Sequence, residues 1–294
     1  MSGPADRVAG WDLLRGLCAL AVMAYHLLGW TDLAHLSAFG TYGVYLFFTL
    51  SGASLGFAYP AATVASPRAV ATFLATRWFR LGPLYVLACL VFLAMLAAHL
   101  GAWADRLPLR LALNASFAFG LWDPAVWALA VGGWSLGIEF VFYLLFPALA
   151  WAAGAPRGRW VVLALCVGVQ AAWVASTVGR HGLEQAGVAY HQVPAFLAYF
   201  FAGCLIGHDR RGRSGDAGWQ LRVAAGTWLA LAIALSLASG PVAGGELVGA
   251  WGVLLPAACV AAVWVSGRTR VQGSAAVLAA RLGDLTYGTY LLHP

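Results

Sequence analysis

The sequence predicts an all-α membrane protein, a polytopic helix bundle, and two observations carry this prediction. First, 62% of the 294 residues are hydrophobic and only 10% are charged, whereas soluble domains average about 45–50% apolar and about 25% charged residues. Second, apolar runs of roughly 17–25 residues, the length that spans a bilayer, recur along the whole chain. These features exclude an intrinsically disordered chain, a coiled coil, a disulfide-stapled secreted module and a conventional soluble enzyme.

Nine apolar runs account for most of the chain, and we expect them to form one transmembrane domain over residues 1–294. The predicted spans are 11–30, 42–59, 83–100, 134–153, 160–178, 193–208, 221–239, 247–266 and a ninth that begins near 282 and is incomplete at the end of the sequence. Tryptophans near the ends of these runs suggest an aromatic belt at the membrane interface: Trp11, Trp30, Trp103, Trp134, Trp151, Trp160, Trp251 and Trp264. Two small-xxx-small pairs, Gly52/Gly56 and Gly203/Gly207, indicate close helix packing.

The distribution of arginine predicts how the chain is oriented. The chain contains 17 arginines and no lysine. If the interrupted segment 109–133 does not span, thirteen arginines lie on one side and three on the other, with Arg15 inside the first span. The positive-inside rule then favours an interfacial or re-entrant 109–133 and a cytoplasmic N-terminus, in a multi-pass protein of the inner (plasma) membrane. Arginines in short loops suit an anionic lipid surface rather than nucleic acid.

The cysteine pattern indicates packing rather than chemistry. The five cysteines lie one per apolar segment and form no CxxC pair. The sequence therefore predicts neither a disulfide framework nor a metal site, and the thiols are expected to fill space between helices.

The first predicted span carries three charged or titratable residues on one face. A charge near the middle of a spanning helix costs about 2.5–3.5 kcal/mol, so each such residue needs an explanation. Arg15 and His26 are eleven residues apart, which is about 16 Å along a helix and close to exact angular alignment. Asp12 extends this face, so we interpret it as one wall of a functional polar channel.

The fourth predicted span carries a second polar face. Ser135, Glu139 and Tyr143 are spaced i, i+4, i+8 and lie on one side of a helix. If Trp30 and Trp134 mark the same membrane boundary, His26 and Glu139 both lie about 6–8 Å below it and can meet. A carboxylate paired with an arginine for structural reasons is the alternative.

Polar residues of three further segments complete the candidate channel. Arg77 and Arg80, at i, i+3 spacing, either bind a phosphorylated ligand together with Arg15 or snorkel to the interface. Ser51 lies near mid-depth of the second span, where bonding to its own helix is an alternative role. Tyr290 and His293 lie on a polar and aromatic face of the last span.

Five motifs make the sequence resemble the acyltransferase family 3 group of membrane proteins, which O-acylate glycans, lipids and antibiotics. They are Asp12-Leu13-Leu14-Arg15-Gly16 with His26, Phe47-Phe48 with Ser51-Gly52, Arg77 and Arg80 with Pro83 and Tyr85, Trp134-Ser135-Leu136 with Glu139, Phe142-Tyr143 and Pro147, and Thr286-Tyr287 with Tyr290-Leu291 and His293. They occur in the family's order and cover almost the whole chain.

The resemblance implies an acyl-CoA donor, expected to be acetyl-CoA, bound from the cytoplasm without a metal. The acceptor is expected to be a hydroxyl of a glycan, a lipid-linked sugar or an antibiotic-like molecule. Arg77, Arg80 and Arg15 would hold the donor phosphates, and His26 would act as general base or transient acyl carrier. Glu139 would fix the tautomer of His26.

Three alternatives stay open at this stage. Intramembrane Arg, His and Glu also build proton-coupled secondary transporters, although the repeated halves typical of transporters are not visible in the sequence. Members of the resembled family usually continue through a tenth span, so a truncated and inactive remnant is the second. The unrelated membrane-bound O-acyltransferase type is the third, but it pairs its histidine with an asparagine.

Overall fold

A computed structural model describes residues 7–33, 37–100, 106–181, 186–211, 216, 218–238 and 251–293, and these parts of the chain contain helices and no β-strand. The nine longer helices are α1 (Ala9–Trp30), α2 (Ser37–Ala58), α3 (Pro67–Leu100), α6 (Gly133–Gly154), α7 (Gly158–His181), α9 (Leu197–Arg211), α10 (Trp219–Ala238), α11 (Trp251–Ser266) and α12 (Gly273–Leu292). The short ones are α4 (Leu107–Ser116), α5 (Pro124–Trp127) and α8 (Ala186–Tyr190).

Within the described residues every predicted span falls mainly on a helix, but α3 and α12 begin much earlier than predicted. The third starts at Pro67 rather than near 83, so Arg77 and Arg80 lie within a helix of 34 residues. The last starts at Gly273 rather than near 282 and has 20 residues. Hydropathy marks only the apolar part of a helix, whereas arginine and alanine continue the helix beyond it.

Among the residues that the structure describes, four helices are long and apolar enough to cross a membrane: Ala9–Trp30, Pro67–His99, Gly133–Gly154 and Gly158–Gly179. The chain is therefore a helical protein with several membrane-spanning segments. Nine spans and a cytoplasmic N-terminus stay predictions.

Small residues let the helices approach closely. The two predicted glycine pairs face each other: a Cβ at Gly52 would collide with the Phe200 carbonyl, and one at Gly203 with the Thr49 carbonyl. Because Gly56 meets Cys204 one turn further along, α2 and α9 run in the same direction. All five cysteines are buried, as predicted: Cys18, Cys89, Cys166, Cys204 and Cys259.

Helices α1 and α12 lie side by side and also run in the same direction. Gly283 packs against Asp12, and the ring of His293 contacts the ring of His26. Helix α2 packs antiparallel on α1, because Gly43 meets Val22 while Leu50 meets Arg15. Polar residues of three helices therefore line one region of the bundle.

The predicted aromatic belt is only partly present. Trp30, Trp151 and Trp160 are well exposed, as a belt requires. Trp11 instead is 2% exposed and donates its indole N–H to the Val263 carbonyl at 2.9 Å. Trp134 is half-buried and packs against the rings of Tyr190, His191 and Phe196. Trp103 lies outside the described residues.

The ambiguous segment 109–133 folds into short elements that pack on α6. Helices α4 and α5 have 10 and 4 residues, fewer than the roughly 20 that a spanning helix needs. Asn114, 2% exposed, joins them by donating to the carbonyls of Arg110 and Trp127, each at 2.8 Å. Its Oδ1 accepts from the Tyr85 hydroxyl at 2.6 Å and from the Leu129 N–H at 3.1 Å.

Candidate active site

A cavity of about 410 Å³ lies among α1, α2, α3, α6 and α12. Nine of the eleven predicted site residues line it: Asp12, Arg15, Ser51, Arg77, Arg80, Ser135, Glu139, Tyr143 and Tyr290. His26 and His293 lie beyond Tyr290, outside this lining. Four arginines and three carboxylates line the cavity, with Arg7 and Asp284 joining the predicted charges, so its walls carry a net positive charge.

The arginine end of the cavity, defined by Arg7, Arg15, Arg77 and Arg80, is partly organised by ion pairs. Arg15 donates to Asp12 Oδ1 at 2.9 Å and to the Leu50 carbonyl at 3.2 Å. It also donates to the hydroxyl of Ser54. Arg7 is paired with Asp284 and lies 3.4 Å from Asp12 Oδ2. These contacts join α1, α2 and α12, and they offset part of the cost of charge in an apolar bundle.

Arg77 and Arg80, one turn apart on α3, have different surroundings. Arg77 donates to the Tyr59 hydroxyl at 2.7 Å, and its guanidinium lies 5.2 Å from the Tyr59 ring centre and 5.6 Å from that of Phe73. Arg80 is exposed and lines the cavity, yet within the described chain it makes no hydrogen bond or ion pair. A guanidinium with five unused donors is suited to a phosphate or carboxylate ligand.

Glu139 lies near the arginine end rather than beside His26. The Ser51 hydroxyl donates to Glu139 Oε1 at 2.9 Å, and the Tyr143 hydroxyl donates to the same oxygen. Ser51 follows Leu50, whose carbonyl binds Arg15, so Glu139 and Arg15 share one level of the bundle. The hydroxyl of Ser51 thus bonds to Glu139 rather than to its own helix, the alternative considered from the sequence.

Tyr290 closes the other end of the cavity. Its hydroxyl lies 2.7 Å from Ser135 Oγ, and it donates to the Gly132 carbonyl at 3.3 Å. Ser135 also donates to that carbonyl at 2.9 Å. Gly132 has φ of 73°, a left-handed conformation that favours glycine, and it begins the turn that brings Ser135 to Tyr290.

The histidine end, defined by His26, His293 and Trp30, lies behind Tyr290. His26 Nδ1 is 2.7 Å from His293 Nε2, and the two rings meet edge to edge, with centres 4.8 Å apart and an angle of 29° between their planes. The Trp30 ring stacks on His26 at 5.2 Å, and the Tyr290 ring is 6.1 Å from that of His293. His26 and His293 are both half-buried.

The predicted contact between His26 and Glu139 is absent from the described hydrogen bonds, and the depth argument behind it is wrong. That argument placed Trp134 at the same depth as Trp30, but Ser135, the next residue, is hydrogen-bonded to Tyr290, one turn before His293 on α12. Helix α6 therefore begins at the level of Tyr290, inside the bundle, and Glu139 follows about 6 Å deeper. The partner that His26 has instead is His293.

Sequence reasoning missed three residues of the site: Arg7, Ser54 and Asp284. Asp284 carries the signal that selected Glu139, a carboxylate within a predicted span. Ser54 is one turn from Ser51 on the same face of α2. Arg7 had no such signal, because a loop arginine is expected on positive-inside grounds alone.

The fold and the cavity define a helical membrane protein with an arginine-rich polar site. The family model described as an acyltransferase domain matches residues 8–294. The chain therefore belongs to the acyltransferase family 3 group and is a membrane-bound acyltransferase. It is 27% identical over 316 aligned positions to "Putative membrane-bound transacylase BcsY" of Komagataeibacter xylinus, an alignment that covers 99% of this chain and 73% of that protein. No solved structure matches the chain.

Proposed function

We propose that this acyltransferase moves an acyl group, acetyl in the first instance, from cytoplasmic acyl-CoA to a hydroxyl of a glycan, a lipid-linked sugar or an antibiotic-like acceptor. The supporting observation is a single cavity with unpaired positive charge at one end and an imidazole pair behind the other. In this proposal the arginine end faces the cytoplasm and the histidine end faces the outer half of the inner membrane.

The arginine end would bind the phosphates of CoA. Arg80 has its donors free, Arg77 has a buried Nε without a partner, and Arg15 lies one level deeper. Multiple charge-assisted hydrogen bonds to phosphate are the strongest polar contacts that a guanidinium makes. The pantetheine arm would then extend past Ser51 and Tyr143 towards Tyr290.

His26 would act at the outer end as general base. Arg15 and His26 are separated by about 16 Å along α1, so a long flexible arm has to bridge the distance between phosphates and thioester. The thioester has to pass Tyr290, so we propose that the contact between Tyr290 and Ser135 opens when the donor binds. Helix α12 then carries Tyr290, which blocks the route of the thioester, and also lines that route.

The chemical step transfers the acyl group from the sulfur of CoA to the hydroxyl oxygen of the acceptor. His26 Nε2 takes the proton of the acceptor hydroxyl while the hydroxyl oxygen bonds to the thioester carbonyl carbon. The carbon–sulfur bond breaks, and the proton passes from His26 to the departing CoA thiolate. The products are the O-acyl acceptor and CoA.

The test is transfer of labelled acetyl from acetyl-CoA to acceptor by the purified chain in lipid nanodiscs. His26→Ala should lower kcat by roughly 10²–10⁴, the range for losing a general base, with an unchanged KM for acetyl-CoA. His99→Ala, at the exposed end of α3, is the matched control and should retain wild-type kcat. Normal transfer by His26→Ala would refute the proposal.

A further inference from the structure

The hydrogen bonds of the histidine end determine where its protons lie. His293 Nδ1 is 3.1 Å from the Thr289 carbonyl, one turn earlier on α12. A carbonyl oxygen only accepts, so His293 Nδ1 must carry the proton. In a neutral imidazole the other nitrogen is then a lone-pair acceptor, and His293 Nε2 faces His26 Nδ1 at 2.7 Å.

The same reasoning continues to His26. Its Nδ1 must donate the proton in the contact with His293, which leaves its Nε2 with a free lone pair. The Val22 carbonyl, one turn earlier on α1, is a second acceptor for the His26 ring. A charged pair would need a counter-ion in this half-buried position, and within the described chain neither ring is hydrogen-bonded to a carboxylate. Both rings are therefore neutral at rest.

We propose that His293 is the positioning residue of His26, holding it in the Nδ1–H tautomer so that Nε2 is the base. The Trp30 ring stacks on His26, and this contact together with the hydrogen bond to His293 fixes the plane of the His26 ring. When Nε2 takes a proton, the positive charge of His26 is stabilised by the hydrogen bond to His293 Nε2. This is the function of the third member of a catalytic triad, here performed by an imidazole instead of a carboxylate.

The role of His26 as base rests on the proposed function, but the tautomer does not. Two measurements separate them. The first is ¹⁵N NMR of the histidine-labelled chain in nanodiscs, with the His26 signals assigned by their loss in His26→Asn.

In the parent chain we expect His26 to be protonated at Nδ1. His293→Leu should weaken this preference, because only the Val22 carbonyl then accepts from the ring, whereas His293→Gln, whose amide oxygen also accepts, should keep it. His99→Gln is the control for a distant histidine. A parent chain with His26 protonated at Nε2 would overturn the proposal, whatever the enzyme transfers.

The second measurement is acetyl transfer by the same variants. His293→Leu should lower kcat about 10- to 100-fold, the range for losing a hydrogen bond to a charged group, with KM for acetyl-CoA unchanged. His293→Gln should recover a substantial part of that loss, which a merely structural defect would not allow. An unchanged kcat in His293→Leu would refute the positioning role. If the parent chain transfers nothing, the proposed function fails while the NMR result still decides the tautomer.

Discussion

The arginine end and the histidine end differ in the charged groups that they contain. At the arginine end, four arginines face three carboxylates, and ion pairs join α1 to α12 through Arg7, Asp12 and Asp284. At the histidine end, the described contacts are two imidazoles and aromatic rings. The difference separates two tasks: fixed charge suits the binding of an anionic ligand, whereas a neutral imidazole suits proton transfer near pH 7.

Arg80 shows that the arginine end is not organised for stability alone. Arg15 is held by Asp12, and Arg7 by Asp284, so their charges are compensated within the protein. Arg80 lines the same cavity without such a partner in the described chain. Its exposed guanidinium keeps all its donors available to an anionic ligand that enters the cavity.

Arg80→Gln should have the largest effect on donor binding, because it removes the uncompensated charge. KM for acetyl-CoA should rise about 10- to 100-fold, as expected for losing a charge-assisted hydrogen bond worth about 1.5–3 kcal/mol, while kcat changes little. Arg281→Gln, an exposed arginine of α12 outside the cavity lining, is the matched control. Equal KM values for the two variants in steady-state assays would contradict a phosphate-binding role for Arg80.

Glu139→Gln tests whether Glu139 acts with the arginine end or with the histidine end. Because Glu139 is bonded to Ser51 and Tyr143 at the level of Arg15, we expect mainly a several-fold change in KM for acetyl-CoA. Removing a carboxylate near bound phosphate should lower that KM, since like charges repel. A loss of kcat as large as in His26→Ala, with KM unchanged, would instead return Glu139 to the role of partner of His26.

The helices and the composition of the site were predictable because they depend on local patterns. Apolar runs predict where helices lie, and the spacing of glycines predicts that α2 packs closely on another helix. The rarity of charge in spans selects Asp12, Arg15 and Glu139, which all line the cavity. Each of these inferences needs only one segment of sequence.

The sequence did not predict how far each helix is shifted along the bundle, or which helices it packs against. The level of α6 is set by the turn at Gly132 and by segment 107–131, which pack by tertiary contacts such as those of Asn114. Tryptophan was an unreliable depth marker, because Trp11 is buried and Trp134 is half-buried against the rings of Tyr190 and Phe196. For the same reason the sequence favoured Glu139 over His293 as the partner of His26.

Asp284→Asn should have the smallest effect and tests whether ion pairs restrain the arginine end. The pair of Arg7 and Asp284 is exposed, with side-chain exposures of 38% and 63%, and exposed pairs contribute at most about 1 kcal/mol. The thermal unfolding midpoint should therefore fall by less than about 4 °C, while KM for acetyl-CoA falls up to about threefold as Arg7 is released. Asp216→Asn breaks an exposed pair with Arg222 outside the cavity lining and should change stability similarly without changing KM. If both variants leave KM unchanged, the charge of Arg7 does not act on the donor, and the arginine end reduces to Arg15, Arg77 and Arg80.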